Sequence, residues 1–254
     1  MLFVQAAWAR QLGGAHNYVL TRGFVSLRSN EWVKRQRKDQ HVKQARAEGW
    51  RSRAALKLIQ LDDKLRLLQP GHRVVDLGGA PGGWAQVAAR RVSRRKSSKS
   101  GQKSGGQVVT VDLQPMEPLP GVVEIQGDFT DSAILEAVVA ALPGGSADLV
   151  MSDAAPKMSG DRGMDHARSM GLCEAALWAA TAVEAPPLLA PGGDFLVKAT
   201  QGGSEKAFSK AMKPLFDEVK FVKPPASRNE SREVYICGRR FRRPTTDDGH
   251  EGGA

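Results

Sequence analysis

Cysteine is nearly absent from this 254-residue chain: Cys173 and Cys237 are the whole supply. Neither stands in Cys-x-x-Cys or cysteine–histidine spacing, which excludes a zinc ribbon and a disulfide framework. Both are expected to be small buried apolar residues of a protein kept in a reducing compartment. Long apolar runs are missing too. No stretch approaches the roughly 20 residues that cross a bilayer, so no membrane partner is expected. Acids are scarce in two places. Residues 1–51 hold ten Lys/Arg against Glu31, Asp39 and Glu48, and residues 77–111 hold seven Lys/Arg and no acid. The net charge of +10 therefore sits on particular stretches rather than over the whole chain. Lys/Arg clusters gain affinity for polyanions by releasing their counterions, which points to a polyanionic partner; a solvated, solubilising surface is the alternative.

No acid precedes Glu31, while Arg10, Arg22 and Arg28 follow an apolar start. This is the composition of an organellar transit peptide. The apolar stretch is short, broken by Gln5 and not preceded by a charge, unlike a secretory signal. Residues 1–38 are thus read as a basic extension that directs mitochondrial import. The alternative is a plain basic arm, with a nucleolar or cytoplasmic location.

What remains reads as one core. From Ser52, placed as a helix N-cap, Leu58, Leu61 and Leu65 recur at helical spacing until Gln69-Pro70-Gly71. The apolar run Val74-Val75-Asp76-Leu77 breaks into Gly78-Gly-Ala-Pro-Gly-Gly83, and a second helical stretch covers 84–92: strand, tight turn, helix. Residues 93–107 hold no apolar side chain to bury and predict a flexible basic insertion. Further strands are predicted at 108–112, 122–126, 148–152, 194–198, 218–222 and 233–237, and helices near 131–141, 165–185 and 203–215. This alternation specifies an α/β fold: a mainly parallel seven-stranded sheet with helices on both faces. The last two strands are joined by a loop alone, which predicts an antiparallel pair at one edge. The domain is placed at 39–240, with 241–254 as a disordered tail.

Ligands of such sheets bind beyond the carboxyl ends of the strands. Asp112, Asp153 and Lys198 each close an apolar run, and Asp128 lies just past another. One such charge is usually structural or solvated; four on one edge suggest a site. A lysine ending a buried strand needs partners. The glycine turn lets a ligand approach the backbone closely, and Asp112 could accept hydrogen bonds from both ribose hydroxyls of an adenosine-containing ligand. Nicotinamide, flavin and S-adenosylmethionine all remain open on these features. The spacing departs from Gly-x-Gly-x-x-Gly, and Pro81 sits inside it, which disfavours a dinucleotide.

Asp76-Leu-Gly-Gly-Ala-Pro-Gly-Gly-Trp84, Gln126-Gly-Asp-Phe129, Ser152-Asp-Ala-Ala-Pro-Lys-Met-Ser-Gly160, Leu189-Ala-Pro-Gly-Gly193, Val197-Lys198 and Ser227-Arg-Asn-Glu-Ser-Arg-Glu-Val-Tyr235 together resemble the FtsJ/RrmJ-type ribosomal RNA 2′-O-methyltransferases. Ser52-Arg-Ala-Ala-Leu-Lys-Leu58 matches the family's preceding helix. The resemblance implies a Rossmann-like S-adenosylmethionine-dependent fold and a catalytic tetrad of Lys57, Asp153, Lys198 and Glu233. Gly82 and Trp84 would contact the cofactor, Asp112 its ribose, Asp128 its adenine, and Asp153 would lie near its methionine end. Large-subunit ribosomal RNA, or a subunit precursor with its assembly proteins, would be the partner, and a uridine the target. In this reading Lys198 is the general base and Asp153 orients it, while Lys57 and Glu233 hold the ribose. No metal is implied. Gly79 stands where family members often carry alanine, a change expected to be harmless.

Other methylation chemistries fit poorly. Asp153-Ala-Ala-Pro156 is not the Asn/Asp-Pro-Pro-aromatic motif of exocyclic amine methylation, and neither cysteine is placed as the nucleophile that cytosine C5 chemistry needs. Transfer-RNA or messenger-cap 2′-O-methylation, and a non-catalytic assembly factor that keeps the fold, are the competing readings.

Overall fold

The computed structural model describes residues 40–93, 105–182, 187–228 and 231–243. The extension expected over 1–38, most of the 93–107 insertion and most of the 241–254 tail lie outside them. Strands β1 (Arg73–Leu77), β2 (Gln107–Asp112), β3 (Val122–Gln126), β4 (Ala147–Ser152), β5 (Leu189–Thr200), β6 (Phe216–Val222) and β7 (Glu233–Phe241) form one sheet. Their order is β3-β2-β1-β4-β5-β7-β6. Helices α1 (Gln40–Ala47), α2 (Ala54–Leu65), α3 (Gly83–Val92), α4 (Ser132–Ala141), α5 (Arg162–Thr181) and α6 (Ser204–Met212) complete the domain.

Strands β1 to β5 run parallel, and β7 is antiparallel to both β5 and β6. The expected antiparallel pair is therefore at one edge, with the reversed strand inside and β6 outermost. Successive side chains of the central strands enter opposite cores, which explains the near-continuous apolar runs. Val74, Val108, Leu149 and Leu196 pack with Leu58, Leu61 and Val87 from α2 and α3. Val75, Val109, Val150 and Phe195 pack with Val138, Cys173 and Phe208 from α4, α5 and α6. Both cysteines are free and buried, and burial pushes each thiol up to about 12.

The chain turns back across the sheet after β3, so β1 and β4 lie side by side. Their connections leave in opposite directions and open a crevice at their carboxyl ends. Side-chain caps start two helices: Asp131 accepts from Ala133 N, and Asp161 accepts from Met164 N at 2.8 Å, so α5 begins at Arg162 rather than at 165.

Ser52 does not cap α2. The N-cap position is Arg53, without a side-chain cap bond, and the Ser52 hydroxyl is packed where a side chain on Gly83 would have to stand. α2 also ends early. Arg66 turns left-handed (φ 56°), and Asp62 Oδ1 accepts from Leu68 N at 2.7 Å, well before Gln69-Pro70-Gly71. At the other end, β7 runs to a buried Phe241 and Arg242 donates to Lys213 O and Phe216 O, so ordered chain extends past the boundary placed at 240.

Gly238 of β7 faces Phe216, whose ring lies 6.2 Å from that of Phe195 and 5.7 Å from that of Phe241. A Cβ there would come within 2.7 Å of the Phe216 ring. Gly238→Ala should cost about 1–3 kcal/mol by overpacking. Gly171→Ala, on α5 with open space around it, should leave stability unchanged or raise it by about 1 kcal/mol. Chemical denaturation of the two variants against wild type measures both.

Candidate active site

β7 carries the site's geometry. It runs against β5, so its first residue meets the carboxyl end of the parallel strands: Thr200 pairs with Glu233 and Lys198 with Tyr235. Glu233, late in the sequence, thereby reaches the edge where Asp153 follows β4. Lys57 comes from the opposite direction, in the first turns of α2, and is buried rather than a surface lysine.

All four residues of the expected tetrad come together. Lys57 Nζ lies 2.8 Å from Glu233 Oε1 and donates to Oε2 at 2.9 Å. Lys198 Nζ lies 3.1 Å from Asp153 Oδ1 and donates to the Asp153 carbonyl at 2.5 Å. Tyr235 joins the pairs: its hydroxyl donates to Asp153 Oδ1 at 2.8 Å, and Lys57 Nζ sits 6.0 Å from its ring centre. The Ser227 hydroxyl donates to Glu233 Oε1 at 2.6 Å.

Burial alone would raise the Asp153 carboxyl. The charges of Lys198 and Lys57, with hydrogen bonds from Tyr235 and Lys198, outweigh it and hold the group below the usual range. Glu233 follows the same balance: burial raises it, but Lys57 and Ser227 pull it below its ordinary value. Burial, then the charges of Asp153 and Glu233, push the Tyr235 phenol well above its ordinary value, so it stays a donor.

The glycine turn abuts this cluster. Gly78 (φ 73°) faces Ala154, the residue after Asp153, so closely that a Cβ would lie 2.6 Å from Ala154 Cβ. The Ser152 hydroxyl donates to Leu77 O at 2.8 Å, and Ala80 N donates to Asp112 Oδ2 at 2.9 Å, which ties the turn to β4 on one side and β2 on the other. Gly82 (φ 99°) lies under Met116, Leu119 and the Arg51 guanidinium, which donates to Glu117 O at 2.5 Å and Pro118 O at 2.8 Å. A Cβ on Gly79 would collide with the Thr110 hydroxyl and lie 2.8 Å from Asp76 Oδ2. The departure from alanine thus matches a threonine that takes up the room.

Asp112 borders a shallow depression of about 200 Å³ with Thr110, Gln114, Met116, Glu124 and Gln126. Its Oδ1 accepts from Gln114 N at 2.8 Å. Asp128 is exposed beyond β3, its Oδ1 engaged by the backbone N–H and hydroxyl of Thr130. The indole of Trp84 is directed into the core, donating to Ala54 O at 3.0 Å with its ring 5.7 Å from that of Tyr235. What Trp84 offers a ligand is its main-chain N–H in the first turn of α3.

Three residues were missed as site residues by sequence reasoning. Tyr235 could have been found from strand alternation, two residues after Glu233. Ser227 had no such signal. Asp76, the acid opening the glycine motif, is 1% exposed and lies within the fields of Asp153 and Asp112.

Paired lysines and carboxylates beside a glycine turn suit proton removal and positioning, and with the doubly wound sheet they define a Rossmann-like methyltransferase. The chain belongs to the FtsJ-like methyltransferase family, whose model matches residues 50–241. It is 48% identical over 217 residues to the ribosomal RNA large subunit methyltransferase E of Granulibacter bethesdensis, covering 85% of this chain and 86% of that one. The Paramagnetospirillum magneticum protein of the same name is 44% identical over 233 residues, 91% of each chain. A Plasmodium falciparum structure described as a ribosomal RNA methyltransferase superposes with a TM-score of 0.62 at 28% identity, covering 76% of this chain and 98% of that one.

The cofactor is S-adenosylmethionine. The residues present fit it: glycines that leave the turn without side chains, an acid closing β2, and a buried carboxyl, Asp76, with neither oxygen hydrogen-bonded among the described residues.

Removing one buried partner should show how tightly the cluster is balanced. Lys57→Met leaves Glu233 buried without its cation and should cost about 3–5 kcal/mol; adding Glu233→Leu should restore much of that. Because Glu233 and Asp153 are held below their unfolded values, their contribution is complete above about pH 4–5 and lost as pH falls through the folded values. Urea unfolding of wild type and both variants at pH 7 and pH 3.5 measures this: the double variant should lose less stability on acidification than wild type, and Lys57→Met least of all, because protonation relieves its buried, unpaired Glu233.

Proposed function

We propose that this protein transfers a methyl group from S-adenosylmethionine to a ribose 2′-hydroxyl of large-subunit ribosomal RNA, with a uridine as the target. The observation that carries this reading is the pair of lysine–carboxylate contacts, Lys57–Glu233 and Lys198–Asp153, set against the glycine turn. The names of the curated relatives support the substrate class.

When bound, the cofactor supplies a methyl group that is already a strong electrophile, so the protein must mainly align the attack and remove a proton from a weakly acidic hydroxyl. In this reading Lys198 Nζ takes that proton. The Asp153 carboxylate and carbonyl fix Nζ at the end of β5, and Lys198 must release the proton it holds against Asp153 before it serves as base. Lys57 and Glu233 present a donor and an acceptor to the ribose, and Tyr235 keeps Asp153 from turning away. Gly82, the Trp84 main chain, Asp112 and Asp128 take the cofactor's adenosine side, and Asp153 its methionine side. The basic stretches at 1–51 and 77–111 suit a phosphate backbone. The 1–38 extension is read as a mitochondrial address, which places the substrate among organellar subunit precursors and their assembly proteins; fluorescent fusions with and without residues 1–38 test it.

Lys198→Ala should lower methyl transfer by about 10²–10⁴-fold, the range of general-base catalysis, while S-adenosylmethionine affinity changes by less than about threefold. Single-turnover assays on large-subunit RNA, with calorimetry for the cofactor, separate the two; turnover near wild type would overturn the role of Lys198. Mapping 2′-O-methyls in organellar and cytosolic ribosomal RNA, with and without the protein, identifies the target.

A further inference from the structure

Asp76 has no part in the steps above, yet it is the most unusual carboxyl in the domain. It is the penultimate residue of β1, inside the strand's buried run, with neither oxygen hydrogen-bonded among the described residues. Oδ2 is directed at the glycine turn, 2.8 Å from where a Cβ of Gly79 would stand. The donor nearest to serving it is the Ala85 N–H in the first turn of α3, which favours the charged form but falls short of a full hydrogen bond. Its charged neighbours on the flanking strands are both acids, Asp112 from β2 and Asp153 from β4. The cations of the cluster are engaged elsewhere, Lys198 with Asp153 and Lys57 with Glu233.

A carboxyl out of water, without a cation of its own and between two carboxylates, is held as the neutral acid. Burial, then the charges of Asp153 and Asp112, push its pKa up to about 8. A cation entering at the glycine turn reverses that balance, because an opposite charge within about 4–6 Å favours the ionised form. S-adenosylmethionine carries a sulfonium and an ammonium against one carboxylate, a net positive charge.

We propose that Asp76 is a proton-releasing cation site: neutral in the free protein, it ionises when S-adenosylmethionine binds, and its proton leaves to solvent. The inference rests on the cofactor reading above and adds that binding is linked to pH through one buried acid. Below about pH 8, each unit of acidification should weaken cofactor affinity by up to about tenfold.

Calorimetric titration of the full chain with S-adenosylmethionine at pH 6.5, in phosphate and in imidazole buffers, counts the protons exchanged. At that pH the cofactor's own amino group, with an ordinary pKa of about 8, is already charged and contributes little. Close to one proton released per site is expected, with wild-type affinity changing about tenfold between pH 6 and pH 7. Asp76→Asn should bind with no proton released and with affinity flat over the same interval. Equal binding heats in the two buffers overturn the proposal while leaving cofactor binding intact. Unchanged release by Asp76→Asn also overturns it, since another group would then titrate. Absence of any binding by wild type removes the cofactor reading itself. The wild-type proton count does not depend on how well the variant folds.

Discussion

Charges taken out of water persist only when they are paired, and the site follows from how this chain meets that requirement. Lys57, Asp153, Lys198 and Glu233 are largely withdrawn from solvent at one edge of the sheet, and each is satisfied by another. None of the four is a sequence neighbour of its partner, so pairing them ties α2, the end of β4, β5 and β7 into one arrangement. Break one contact and a buried charge is left with little compensation. The same contacts that could perform chemistry thus hold together the elements that carry them.

Much of the architecture was legible in the residues. Alternating strands and helices, apolar runs buried on both faces and the glycine turn led to the doubly wound sheet, and the charges closing β2 and β4 pointed to its carboxyl edge. Tertiary packing overrode local rules elsewhere. Ser52 looks like a cap, but its hydroxyl is needed against Gly83, and α2 stops at Leu65 because Asp62 turns back to hold Leu68. Lys57 and Glu233 are silent without a relative for comparison. A lysine in a helix and a glutamate opening a strand gain meaning only once β7 is known to run backwards between β5 and β6.

The glycine turn illustrates how composition and packing adjust to each other. Gly78 admits Ala154, which brings the turn against the residue following Asp153, and Gly79 leaves its space to the Thr110 hydroxyl. Asp112 and Ser152 anchor the turn from the two flanking strands. The cofactor cradle and the lysine–carboxylate cluster are therefore continuous. A change in either is felt by the other through one or two van der Waals contacts.

The placement of β7 has a bearing on how the protein is made. The turn that would hold the cofactor is encoded long before Glu233 and Tyr235, whose strand must slot between two strands that precede it in the sequence. The Lys57–Glu233 pair and the Tyr235–Asp153 hydrogen bond therefore cannot form until β7 has been made and inserted.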